Sequence, residues 1–292
     1  MGSTLSRYAG FIAGIVPLMA SLAIYGVYRF QTSLIYPSNF PEGSRDVVDV
    51  PSSYDIDFED VTIRTSDGER LRAYEMVQAG GANKTIVMLC PNAGNMGHSL
   101  PIAEQFYKKM GYNVFVFSYR GYGKSTGSAH EQGIKLDCHA VVNYLAKHKV
   151  LSNTSIILYG RSLGGAIGIY MATLPSSKGL ISGLVLENTF LSIPKLIPNV
   201  LPLLSPLSFL CTEKWESERL IRHLPRDIPV LFLSGKKDEL VPPSHVETLY
   251  DLCPSEVKQL AEFDEGMHND TIIQPAYWSQ VFKFIKQIPP ND

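Results

Sequence analysis

A serine stands between glycines in Gly160-Arg161-Ser162-Leu163-Gly164-Gly165, where the apolar run SIILYG ends and GGAIGIYMAT begins. The pattern reads as a strand, a sharp turn and a helix, the setting of a nucleophile elbow. In such a turn the serine occupies a strained backbone position and its hydroxyl projects from the sheet edge. Glycines on both flanks let helix and strand approach, and the helix N-terminus favours negative charge beside the hydroxyl. The chemistry this suits is nucleophilic attack on an acyl group by Ser162.

A serine hydroxyl is a poor nucleophile at its free pKa and needs a base. Of the seven histidines, His268 follows KQLAEFDEG on a loop between the last predicted strand and the last predicted helix. A loop there swings an imidazole over the serine from the carboxyl end of a sheet. His98, His130, His139, His148, His223 and His245 fall elsewhere and read as surface or core residues. None forms HExxH or another ligand spacing, so neither a metal nor a cofactor is expected. The base in turn needs a carboxylate to fix its tautomer and stabilise imidazolium. Asp238, just after PVLFLSG, is the first candidate, and Glu187, at the end of GLVLEN, is its competitor. Asp264 and Glu265 read as solvated loop charges. The chain order is then Ser162, Asp238, His268.

Acyl transfer also needs donors for the tetrahedral oxyanion. The Leu163 N–H supplies one, and the loop Pro91-Asn92-Ala93-Gly94-Asn95 supplies the other from Asn92, since Pro91 has no N–H. Gly123-Lys124-Ser125 resembles the end of a phosphate loop, but Ser118 occupies the place of its first glycine. Gly121-Tyr122-Gly123 fails the dinucleotide pattern at Thr126, so nucleotide binding has no support.

The elements that must position these residues follow from apolar patterning. FEDVTIRT and RLRAYEMV alternate around Ser66-Asp67-Gly68, an Asp-Gly hairpin signal that predicts antiparallel edge strands. TIVMLC, NVFVFSY, SIILYG, GLVLEN, PVLFLSG and KQLAEF are short continuous apolar runs, as strands buried on both faces are. Helix-compatible stretches lie at 97–110, 129–148, 163–173, 244–253 and 276–287. The fold class is α/β, a mostly parallel sheet with helices on both faces. Residues 189–225 form an apolar insertion that reads as a lid, a bilayer-resting segment or an ordinary packed insertion. Prolines 194, 198, 202 and 206 break it into short pieces.

Residues 9–28 run without a charge between Arg7 and Arg29, long enough at 1.5 Å per residue to cross about 30 Å of hydrocarbon. They predict an uncleaved, single-pass signal-anchor in an endomembrane such as the endoplasmic reticulum, or in the plasma membrane. Flanking charge is too balanced to orient it. The expected organisation is a tail at 1–8, the span at 9–28, a linker at 29–55 that wraps onto the domain, and the domain at 56–292. Gly10 and Gly14 form a GxxxG pair, and Gly2 begins a myristoylation pattern. Asn83, Asn153 and Asn269 are glycosylation sequons, the last one residue from His268. Cys90, Cys138, Cys211 and Cys253 are widely spaced and read as buried thiols. With 26 Lys+Arg against 28 Asp+Glu, the formal charge of −2 provides no field for nucleic acid.

Together TIVMLC with PNAGN, SYRGYGKSTG, GRSLGG, GKKDELVPP and EGMHND resemble the α/β-hydrolase superfamily, over essentially the whole chain. Within it the chain is similar to membrane-anchored serine hydrolases, especially the fungal group first linked to bud emergence and cell polarity. The resemblance implies an α/β-hydrolase fold behind an N-terminal anchor. It assigns Arg120, Gly121, Gly123 and Ser125 to a structural turn. One departure is Cys90-Pro91, where many relatives have His-Gly before the Asn of the oxyanion loop. The implied activity is hydrolysis of an ester or thioester, and similarity to protein depalmitoylases implies an acylated protein or lipid as substrate. The alternatives are a polarity or signalling scaffold and a serine amidase or aminopeptidase. Oligomeric state is not readable from the chain.

Overall fold

Eight strands form one sheet in the order β1-β2-β4-β3-β5-β6-β7-β8. They are β1 (Glu59–Arg64), β2 (Arg70–Met76), β3 (Lys84–Leu89), β4 (Asn113–Phe117), β5 (Ser155–Arg161), β6 (Ile181–Glu187), β7 (Val230–Gly235) and β8 (Lys258–Phe263). The computed structural model describes residues 19, 21, 22 and 24–290. β1 and β2 pair antiparallel, β2 joins β4 antiparallel, and every other pairing is parallel. Every residue of β3, β4 and β7 is buried, which is why these strands read as continuous apolar runs rather than alternating ones.

The helices are α1 (24–35), α2 (Leu100–Glu104), α3 (Glu131–Lys147), α4 (Leu163–Ala172), α5 (Ile193–Val200), α6 (Ser217–Leu220), α7 (Pro243–Leu252) and α8 (Tyr277–Gln287). A π-helical turn, Gln105–Lys109, continues α2. The buried α4 lies against the sheet centre because its glycines permit it. A Cβ on Gly164 would stand 2.1 Å from the Leu89 carbonyl oxygen, and one on Gly160 would stand 2.3 Å from that of Gly164.

In the insertion, α5 is capped by the Ser192 side chain, and a 3-10 run follows over Pro202–Leu210. No residue of that run is buried, and Leu203 and Phe209 are 94% and 72% exposed.

Residues 29–55 run from α1 onto the domain. Residues 29–35 belong to α1, and 36–55 are bonded into the domain. Tyr36 is buried and donates its hydroxyl to Glu213 at 2.6 Å. The Asn95 side chain donates to the carbonyls of Ser44 and Val47. The Pro, Ser and Asn content that reads as a linker here serves turns held by distant partners. The expected tail and most of the 9–28 span, with Gly2, Gly10 and Gly14, lie outside the described residues. Among the described residues, no helix is long and apolar enough to cross a membrane.

Candidate active site

Ser162 joins β5 to α4 with φ 54° and ψ −117°, a conformation costing about 1–3 kcal/mol in a non-glycine residue. The strain is held from several sides. The Ser162 N–H donates to the Glu187 carbonyl at 2.9 Å, and the Thr189 hydroxyl donates to the Ser162 carbonyl at 2.8 Å. The residue is 8% exposed, at the carboxyl ends of the parallel strands.

His268 lies on the loop between β8 and α8, buried, with Nδ1 2.8 Å from Asp238 Oδ2. The other Asp238 oxygen, Oδ1, accepts from the N–H groups of Leu240 and Val241 at 2.9 and 2.7 Å. This orients the carboxylate, which in turn sets the imidazole tautomer with its proton on Nδ1 and an acceptor at Nε2. The His268 N–H donates to Glu239 Oε2 at 3.1 Å. No hydrogen bond joins the Ser162 hydroxyl to His268. Such contacts commonly tighten only when substrate binds.

Glu187 has another role. It is fully buried, and its Oε2 accepts from the hydroxyls of Tyr159 and Tyr277 at 2.7 and 2.6 Å. Burial, reinforced by the Glu187 charge, raises both phenol pKa values. Glu187 makes no hydrogen bond to His268, so the competitor carboxylate belongs to a tyrosine cluster beneath the serine. Glu265 is an exposed partner of Lys237.

The Leu163 N–H opens α4, and the Asn92 N–H has no hydrogen-bond partner among the described residues. Asn92 is fixed by its other groups: its amide donates to the Ile35 carbonyl at 3.1 Å, and its own carbonyl accepts from the Tyr122 hydroxyl at 2.7 Å. The Gly94 N–H donates to the Phe40 carbonyl at 2.7 Å, so residues 35–47 hold the loop that the sequence pairs with the serine. Cys90, at the departure Cys90-Pro91, is buried under this loop, and burial pushes its thiol up to about 11. It is a packing residue, with Sγ near the Ser99 hydroxyl and the Phe117 carbonyl.

Two cavities border these groups. One of about 140 Å³ is lined by Ser162, Leu163, Asn92 and apolar side chains of α1 and α5. One of about 420 Å³ is lined by His268, Asn92, Arg161 and Asn269, among others.

Sequence reading passed over Asn188. Its amide donates to the carbonyls of Met267 and His268 at 3.3 and 3.2 Å and to the Thr271 hydroxyl at 3.0 Å, and its Oδ1 accepts from the Gly235 N–H at 2.9 Å. One side chain thus ties the end of β6 to the end of β7 and to the histidine loop. The available signal was an Asn closing the strand GLVLEN. Asn tolerates the positive φ of 45° found there.

The family model for the alpha/beta hydrolase fold matches residues 85–207, a segment holding Asn92, Ser162 and Leu163 and ending before Asp238 and His268. The membrane protein YNL320W of Saccharomyces cerevisiae is 44% identical over 275 residues, covering 94% of this chain and 95% of its own. The chain belongs to the α/β-hydrolase family. Protein bem46 of Schizosaccharomyces pombe is 43% identical across 96% of this chain and 93% of its own. The alpha/beta hydrolase domain-containing protein WAV2 of Arabidopsis thaliana is 33% identical across 96% of this chain and 92% of its own. Among solved structures, a Pyrococcus furiosus esterase superposes with a TM-score of 0.71 at 22% identity, covering 84% of this chain and 96% of that one. At that identity the likeness shows the fold of this α/β-hydrolase and no more.

Proposed function

We propose that this α/β-hydrolase is a membrane-tethered serine hydrolase that cleaves carboxylic esters or thioesters of long acyl chains. The observation that carries the reading is the buried Asp238–His268 pair at the same sheet end as a strained Ser162. Ser162 Oγ attacks the carbonyl carbon as its proton passes to His268 Nε2. Asp238 holds the imidazolium so formed, and the N–H groups of Leu163 and Asn92 bond the tetrahedral oxygen. Collapse expels the alcohol or thiol, which takes the proton from His268. A water then repeats the sequence on the acyl-enzyme and frees the acid.

The long-chain preference rests on the cavity that begins at Ser162. It passes Leu196, Ile197 and Leu201, and a second one of about 70 Å³ extends along α1 to Leu207 and Leu210. Exposed Phe30 and Leu34 on α1 and exposed Leu203 and Phe209 on the 3-10 run give this side an apolar surface. An anchor at 9–28 leads into α1, so this surface rests against the bilayer that supplies acylated lipid or protein.

The test is fluorophosphonate labelling of the full chain in detergent, beside Ser162→Ala, His268→Ala and Asp238→Asn. Labelling is expected in the wild type, absent from the serine variant and sharply weaker in the histidine variant. An acetyl-to-palmitoyl ester series should then rise with chain length. A folded wild type that does not label overturns the reading in favour of a scaffold, and release of amino-acid arylamides in preference to esters makes the protein an amidase.

A further inference from the structure

Asn92 borders both cavities, and the two differ in chemistry. Ser162 lines the smaller, apolar one; His268 lines the larger. In acyl transfer the serine keeps the acyl group while the imidazole returns its proton to the leaving group. On the reading of Ser162 and His268 above, on which this inference rests, the acyl chain lies along α1 and α5. The leaving group then occupies the cavity of about 420 Å³, a volume typical of small-molecule sites.

No Asp or Glu lines that larger cavity. Its one permanent cation is Arg161, the last residue of β5, which is partly buried. Arg72, Arg120 and Arg219 pair with Asp60, with Asp67 and Asp137, and with Glu216 respectively. The Arg161 side chain has no ion pair and no hydrogen bond among the described residues. The carboxylate nearest in register, Glu187 on β6, is bonded to two tyrosines instead. His98 adds a neutral donor to the same wall: its Nδ1 accepts from the Asn95 N–H at 3.1 Å, which leaves the ring proton on Nε2. A guanidinium with no side-chain partner in a cavity wall is free to bond an anion held in that cavity.

We infer that the preferred substrates are acyl esters of a small alcohol bearing an anion, phosphate above carboxylate, and that Arg161 recognises that anion. A guanidinium forks onto two phosphate oxygens, and the cavity holds a group of glycerol-phosphate size. Arg161 is thus a specificity residue on the leaving-group side, one position before the nucleophile.

The experiment compares kcat/KM for 1-lauroylglycerol 3-phosphate with that for uncharged 1-lauroylglycerol, using the full chain in neutral detergent. O-lauroyl lactate separates carboxylate from phosphate recognition. A charge-assisted hydrogen bond corresponds to roughly tenfold to a hundredfold in preference. The wild type is expected to favour the phosphate ester by that factor, Arg161→Gln to lose most of the preference and Arg161→Lys to keep part of it. Using the ratio of two substrates in each variant cancels any general damage to the turn. Equal turnover of charged and uncharged esters by the wild type, or a ratio unmoved in Arg161→Gln, overturns the inference. Calorimetric binding of dodecyl phosphate against dodecanol, in Ser162→Ala with and without Arg161→Gln, is independent of turnover. Phosphate-selective binding that depends on Arg161 in a chain hydrolysing neither ester rejects the hydrolase reading but keeps the anion site. Binding without selectivity rejects the site.

Discussion

Replacing Asn188 by alanine should unfasten the histidine loop while leaving every proposed catalytic side chain in place. The Gly235 N–H, buried in the sheet, loses its acceptor, and a buried unsatisfied group costs about 1–3 kcal/mol. The His268 carbonyl loses its amide donor as well, whereas the Met267 carbonyl keeps the Thr271 hydroxyl at 2.7 Å. Carbonyls tolerate such losses better than N–H groups, so this adds about 1 kcal/mol. Alanine at a φ of 45° adds about 1–2 kcal/mol more. The expected loss is about 3–6 kcal/mol in urea unfolding, with fluorophosphonate labelling slowed beyond the unfolded fraction. Asn188→Gly removes only the backbone cost and should recover about 1 kcal/mol without recovering labelling. A loss under about 1 kcal/mol in Asn188→Ala, with wild-type labelling rate, would refute the claim that this side chain positions His268.

Gly164→Ala drives a Cβ to within 2.1 Å of the Leu89 oxygen, which only displacement of α4 relieves; the expected outcome is loss of more than about 3 kcal/mol or no soluble protein, read by thermal melting. Asp238→Asn keeps an oxygen for the Leu240 and Val241 N–H groups but presents an amide to Nδ1 and reverses the tautomer; ester turnover should fall by about 10⁴ with little change in melting temperature. Burial, then the Lys195 charge, lowers the pKa of His245, which sits beneath the insertion. Its neutral form is therefore favoured in the fold, so its stability contribution is complete above the unfolded histidine value of about 6.5 and is lost as pH falls below it. Denaturant melts from pH 8 to 5 should show a shallower acid loss for His245→Gln than for the wild type. Asn269 borders the cavity of about 420 Å³, so peptide mass spectrometry of catalytically active protein should find no glycan there.

Much of the fold was legible because burial writes itself locally. A strand covered on both faces must be apolar throughout, and β3, β4 and β7 are; the Asp-Gly turn announced the β1–β2 hairpin; the spaced prolines announced that residues 189–225 would be short pieces. Ser162 and its flanking glycines were legible for the same reason, since a strand, a one-residue turn and a helix over residues 155–172 leave little conformational choice.

Partnership between distant residues was not. Motif order puts Asp238, after β7, ahead of Glu187, at the end of β6, but composition does not show the contact itself. The tertiary structure gives Asp238 to His268, 30 residues on, and seals Glu187 among Tyr159 and Tyr277. Residues 36–55 read as a linker wrapping onto the domain, but turn-forming composition carries no record of which distant groups hold it; Ser44 and Val47 meet Asn95 only in the folded chain. Hydrophobic period and turn chemistry are properties of neighbours along the chain, whereas hydrogen-bond partners and cavity walls are properties of neighbours in space. The sequence alone therefore determined the elements and the turn at Ser162. Packing decided which carboxylate faces His268, which loop is held, and that the Arg161 side chain stands, among the described residues, without an ion-pair partner in the wall of the cavity that His268 lines.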